Sequence, residues 1–150
     1  MDKGWKLMIQ NYRSNLKITV PIEPVAQGRP RASTRGGFVK MYDPPKSREY
    51  KKQVKLILER HKPSKPLETP LRVKMTFNRQ YLKSFTKKQL KQAEDGFLLP
   101  VSRPDLDNYA KAMLDAMNGI IYKDDSQIVS LTLEKKYASE SFTEIEINEV

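Results

Sequence analysis

Cysteine is absent, so the chain has no disulfide framework, no thiolate zinc site and no cysteine nucleophile. Histidine is nearly absent: His61 stands alone, and one imidazole cannot build a histidine-cluster metal site. Any metal must then be held by oxygen, which favours magnesium, manganese or calcium. Long apolar runs are also missing, since none approaches the roughly 20 residues that span a bilayer. Residues 1–15 contain Trp5, Leu7, Met8 and Ile9 but lack the long apolar centre and small-residue cleavage site of a signal peptide. They are expected to form an N-terminal extension or a partner contact, and the chain to be cytoplasmic with no membrane partner.

What is present is one domain's worth of residues, 150, carrying a net charge of +10. The charge is unevenly spread. Residues 1–100 hold 23 Lys/Arg against 8 Asp/Glu, whereas residues 101–150 hold 5 against 10. A basic body suits a polyanion. An acidic cluster inside it needs a separate reason, because carboxylates repel phosphates, and metal binding is such a reason.

Hydrophobic periodicity outlines the elements. Leu16, Ile18, Val20 and Ile22 alternate as a half-buried strand, and a Gly/Pro/Arg-rich stretch from Pro24 to Gly37 reads as a basic loop. Phe38 to Tyr42 is expected to pair with the first strand as a hairpin across that loop. Ser47 to His61 reads as a helix with Tyr50, Val54, Ile57 and Leu58 inward. Leu71, Val73, Met75 and Phe77 alternate as another strand, and Ser84 to Asp95 forms a lysine-rich helix closed by Gly96. A further helix starts at Arg103-Pro104-Asp105-Leu106-Asp107-Asn108 and stops at Asn118-Gly119. Gln127 to Tyr137 and Phe142 to Asn148 are expected to close the chain as a β-hairpin. The pattern predicts an α+β fold over residues 16–150, one domain with a mixed β-sheet flanked by helices.

Asp105 and Asp107 stand two apart, and in an extended segment both carboxylates would point to one ion. Asp125 lies beyond the helix, and the chain must double back to return it to the helix start. The residues alone leave two readings open: a metal site, or a helix cap at Asp107 and a plain turn at Asp124-Asp125-Ser126. Lys111 likewise fits an i,i+4 ion-pair ladder with Asp107 and Asp115.

The stretch Arg103 to Asn108, followed by Lys111, Asp115-Ala116, Asn118-Gly119 and Asp124-Asp125-Ser126-Gln127-Ile128-Val129, resembles the RusA family of Holliday-junction resolvases. The resemblance extends upstream to Gln27-Gly28-Arg29-Pro30-Arg31 and to Tyr42, Lys46 and Tyr50, and covers roughly residues 16 to 148. It implies a RusA-like fold and a homodimeric, magnesium-dependent endonuclease, with manganese as a substitute ion, that resolves four-way DNA junctions by paired symmetric nicks in recombination and repair. By position it assigns the metal to Asp105, Asp107 and Asp125, and the further catalytic role to Lys111. Asp124 belongs to the motif as a supporting residue. The lysine-rich connection around Ser84 to Asp95 departs from the family pattern and looks like a phage or prophage variant, which leaves the preferred branched substrate open.

The expected DNA contacts are Arg29, Arg31, Arg35 and Lys40 from the basic loop, and Lys87, Lys88 and Lys91 from the lysine-rich helix. A solvated basic face is the bland alternative, and it suits the dispersed lysines of the first helix better than the compact Gly-Arg-Pro-Arg run. Three rival functions remain at this point: a nuclease of the same fold acting on other branched DNA, a nonenzymatic DNA-binding protein, and a glycosyltransferase using Asp-x-Asp. The last is disfavoured by size, basicity and the lack of a nucleotide-binding strand pattern, so no nucleotide cofactor is expected. The small core of a single basic domain also favours a dimer, with the apolar stripe of Leu106 to Met117 available to an interface.

Overall fold

The computed structural model describes residues 15–28 and 31–150. Strands β1 (Asn15–Val20), β2 (Arg31–Ser33) and β3 (Lys40–Tyr42) precede helix α1 (Pro45–Glu59). They are followed by β4 (Leu71–Gln80), α2 (Lys87–Glu94), α3 (Leu106–Met117), β5 (Ile128–Ala138) and β6 (Phe142–Glu149). A mixed four-stranded sheet runs β1-β6-β4-β5, and β2 with β3 makes a separate ribbon. This is the α+β, mixed-sheet architecture that the periodicity predicts. Residues 1–14, and with them nearly all of the expected extension, lie outside the described residues.

Two expected pairings are wrong. β5 and β6 are consecutive but do not form a hairpin; both pair with β4, which lies between them, β5 parallel and β6 antiparallel. The reason is burial. β4 hides Leu71, Val73, Met75 and Phe77 on one face and Thr76 and Asn78 on the other, so it gains most by having a ladder on each side. The turn after β5 passes over the end of β4, where the Gln80 N–H donates to Ser141 Oγ (3.0 Å) and the Tyr81 N–H to the Ala138 carbonyl (3.0 Å). Nor does Phe38 to Tyr42 pair with β1. β1 turns Ile18 and Val20 into the core and pairs with β6, whereas β3 pairs with β2 and keeps Phe38, Val39 and Met41 outside. A strand with nothing to bury has no claim on the sheet.

Proline at the first position starts α1, which buries Ser47, Tyr50, Val54 and Leu58. Tyr50, part of the motif pattern, is a core residue whose hydroxyl burial pushes up to about 12. α2 opens with a capping box, Thr86 Oγ1 accepting from the Gln89 N–H and Gln89 Oε1 from the Thr86 N–H. α3 buries Tyr109, Ala110, Ala112, Met113, Ala116 and Met117 within its own chain, more than the single stripe anticipated. Its apolar face is therefore spent on the sheet and α1, not held in reserve for another subunit.

The Tyr109 ring stacks on Phe77, centroids 5.2 Å apart, and joins the first half of α3 to the middle of the sheet. Phe77→Ala leaves a cavity beneath that contact and should cost about 3–5 kcal/mol, read as a lower urea midpoint at unchanged slope.

Candidate active site

Because β4 and β5 are parallel, α3 must carry the chain from the Gln80 end of the sheet back to the Leu71 end. Side chains and backbone tie it down at both limits. At its start, Arg79 Nη1 donates to Ser102 Oγ (3.0 Å), and Lys135 Nζ to the carbonyls of Ser102 (3.2 Å) and Pro104 (3.1 Å). At its finish, the Leu67 N–H donates to the Ile121 carbonyl (2.9 Å) and the Lys123 N–H to the Leu67 carbonyl (3.0 Å).

Asp105 and Asp107 sit at the start, beyond the carboxyl end of β4, where ligands bind in sheets of parallel strands. Asp105 is extended and holds the cap position, but its side chain makes no capping hydrogen bond. Asp107 is already in the first helical turn, so the extended i,i+2 alignment drawn from the spacing does not hold. Its Oδ1 accepts from the Asn108 N–H (3.0 Å). Both are exposed. Lys111, one turn on, is exposed too, and the ion-pair ladder is not formed: Asp115 pairs with Lys51 (3.9 Å) instead. Among the described residues Lys111 has no ion-pair partner.

Asp125 lies at the other limit of the helix. Its N–H donates to Oδ1 of Asn118 (3.0 Å), the residue that ends α3. Asp124 caps the short turn, accepting from the Ser126 N–H, which holds its carboxyl below the usual range. Gln127 binds that turn to the preceding linker through the carbonyls of Leu67 (2.8 Å) and Thr69 (3.0 Å). The Asp125 carboxylate makes no hydrogen bond or ion pair among the described residues. The 12-residue α3, about 18 Å long, separates it from Asp105 and Asp107. The doubling back that would return Asp125 to the helix start does not occur. Among the described residues no three acidic or histidine side chains are close enough to hold a metal. A three-carboxylate site within one chain does not fit this geometry.

The basic loop is rooted beside the Asp105–Asp107 end. The Gln27 N–H donates to the Asn108 carbonyl (3.0 Å), and Gln27 Nε2 to Asp43 Oδ1 (3.1 Å). The Gly28 N–H donates to Ser47 Oγ (2.9 Å), and a Cβ on Gly28 would stand 2.6 Å from Pro44 Cγ. Asp43 in turn holds Lys51 Nζ at 2.6 Å.

Over residues 21–148 the sequence matches the family described as Endodeoxyribonuclease RusA. It is 32% identical over 115 residues to the crossover junction endodeoxyribonuclease rusA of Lactococcus phage r1t, spanning 76% of this chain and 81% of the phage protein. The chain belongs to the RusA endodeoxyribonuclease family. It is also 45% identical over 137 residues to the uncharacterized protein YqaN of Bacillus subtilis (strain 168), covering 90% of this chain and 96% of that one.

In this RusA-family chain the expected DNA contacts divide by place. Lys40 is exposed on the ribbon, and Lys87, Lys88 and Lys91 on α2, where Lys91 pairs with Asp95 (3.2 Å). Arg29 and the side chains of Arg31 and Arg35 lie outside the described residues. Sequence reasoning missed Arg79 and Lys135, which brace the approach to Asp105, and Asp43 and Ser47, which anchor the loop. No spacing advertises them, because each acts across a long stretch of chain, from 16 residues for Asp43 to 33 for Lys135.

Gly28→Ala should force the loop root away from Pro44 and weaken DNA binding by on the order of tenfold, or about 1.4 kcal/mol. Fluorescence anisotropy would read this, with thermal stability changing little. The hydrogen bond and charge of Lys51 hold the Asp43 carboxyl below the usual range. A depressed folded-state pKa contributes stability that is present above the unfolded value and is lost as pH falls through the folded one. Asp43→Asn should therefore flatten the acid limb of the stability profile below about pH 4, followed by circular dichroism.

Proposed function

We propose that the chain resolves four-way DNA junctions by paired symmetric nicks, in DNA recombination and repair, and does so as a homodimer. The observation that carries this reading is the junction of opposites at the start of α3: the root of an arginine-rich loop is hydrogen-bonded to the same helical turn that presents Asp105 and Asp107. Family membership makes phosphodiester hydrolysis the reaction, and the phage relative's name supplies the branched substrate. A merely DNA-binding protein or a glycosyltransferase is set aside by that membership.

Divalent magnesium, with manganese as a substitute, belongs to the proposal because bare carboxylates repel a phosphodiester and need a counter-charge between them. Lys111 meets negative charge developing on the phosphate, a role supported by an ammonium that no ion pair consumes among the described residues. Arg79 and Lys135 are positioning residues that fix the backbone leading into Asp105. Arg29, Arg31, Arg35 and Lys40 grip flanking phosphates, and the α2 lysines extend the basic surface. The two-fold symmetry of a homodimer matches the equivalent strand pairs of a four-way junction.

Asp105→Asn, Asp107→Asn and Asp125→Asn should each abolish cleavage while junction binding survives or tightens, and Lys111→Ala should lower the rate without loss of stability. Synthetic four-way, three-way and linear duplexes, with and without magnesium, read the outcome. Faster cleavage of flaps or three-way branches would move the proposal to another branched substrate. Binding should fall steeply with salt as counterions are released, and less steeply once Arg29 and Arg31 are neutralised.

A further inference from the structure

The β2–β3 ribbon carries apolar side chains away from the core. Every residue from Phe38 to Tyr42 is exposed, and Phe38, Val39 and Met41 are 75%, 70% and 65% exposed. The turn between the strands is tight. The Gly37 N–H donates to the Thr34 carbonyl (3.3 Å), and Gly36 and Gly37 both take positive φ, 80° and 78°, which other residues rarely adopt. Nothing stands within 4 Å of a Cβ placed at either, so these glycines serve the turn and not a close packing contact. The result is a narrow finger with an apolar tip. An exposed apolar patch marks a contact surface, and its neighbours indicate the chemistry of what it meets: residues 31–42 hold three basic side chains and no acidic one.

We propose that this tip enters the branch point of a DNA junction, where Phe38, backed by Val39 and Met41, stacks on bases that the branch leaves open, and that it makes the chain prefer branched to linear DNA. The inference rests on the junction reading above and deepens it by naming the residues that recognise the branch.

Basic side chains cannot supply that preference. They read phosphates, which linear and branched duplexes share. Base faces differ between the two. In a linear duplex each face is covered by the next pair, and an apolar side chain has to break a stack before it can enter. At a branch the stack is interrupted, so an aromatic ring meets a base face without that cost. Such stacking tolerates any sequence, because every base has a face to offer. The ribbon suits the task by position as well. At its root the Gln27 N–H is bonded to the carbonyl of Asn108, one residue after Asp107. From Asp43, held by Gln27, to Phe38 is five residues of chain, about 17 Å when extended. That is the length of roughly five stacked nucleotides at about 3.4 Å each. A base on Phe38 and a phosphate cut beside Asp105 and Asp107 therefore fit on one junction. Along the extended run Phe38 and Lys40 share a face, which sets an ammonium for the phosphate beside the ring for the base. A docking protein would suit the apolar tip but would leave the cations around it without a purpose.

The test compares binding to a synthetic four-way junction and to a linear duplex by fluorescence anisotropy, without divalent ions so that nothing is cut. A 2-aminopurine base at the branch point reports unstacking. Phe38→Ala should lower the preference for the junction by on the order of tenfold, with linear-duplex affinity nearly unchanged, and should remove the rise in 2-aminopurine fluorescence. Phe38→Trp should keep both, and Phe38→Ala combined with Met41→Ala should lose more than Phe38→Ala alone. Leu56→Ala, which trims a side chain 62% exposed on α1, should change neither. Equal weakening on junction and linear DNA would make Phe38 a general groove contact and overturn the proposal. A change in the sedimentation of the free protein on Phe38→Ala would assign the tip to a protein contact and overturn it too. A wild-type preference for the junction that survives the double substitution would overturn the wedge and leave the junction reading standing. A wild-type chain that binds junction and linear duplex equally would overturn that reading and the proposal together.

Discussion

Parallel strands cannot be joined by a tight turn, and most of this molecule follows from that constraint. β4 and β5 lie side by side in the same direction, so the chain between them has to return along the length of the sheet before β5 can begin. It goes out through the loop that carries α2 and returns through α3. Every residue of the acidic motif is thereby assigned a height: Asp105 and Asp107 where the return begins, Asp125 where it ends.

Electrostatics then decides what each height can be used for. A chain with 28 basic side chains has ample means to neutralise its acids, and it does so for Asp43 through Lys51 and for Glu59 through Lys62. Asp105, Asp107 and Asp125 receive no such partner among the described residues, and neither does Lys111. Groups without an ion pair at the surface meet a charged ligand at little cost, because no ion pair has to be broken first. The basic loop beside Asn108 is tethered at its root by backbone hydrogen bonds from Gln27 and Gly28.

Much of the fold was legible in local pattern. The alternation of Leu71, Val73, Met75 and Phe77 marks β4, the Asn118-Gly119 pair marks the end of α3, and the stripe of Tyr50, Val54 and Leu58 marks α1, because each depends on a period that the neighbouring residues set. The pairing partners were not legible. β5 and β6 look like a hairpin since only a short turn joins them, and it is the burial available to β4 on both faces that separates them. The ribbon strand Lys40–Tyr42 reads like a mate for β1, yet its side chains have no core to enter.

The candidate site divides the same way. The motif residues and their acidic or basic character were determined by the sequence alone, and so was the restriction that any ion would have to be held by oxygen, since these follow from residue type and from the absence of cysteine and of more than one histidine. Family membership was visible there too, in several spaced elements at once. Only the tertiary structure decided where those residues stand. Sequence distance carries no direction, so the 18 positions from Asp107 to Asp125 are compatible with contact or with the full length of a helix. The parallel pairing of β4 and β5 selects the second, because a crossover helix must finish at the opposite end of the sheet from where it starts.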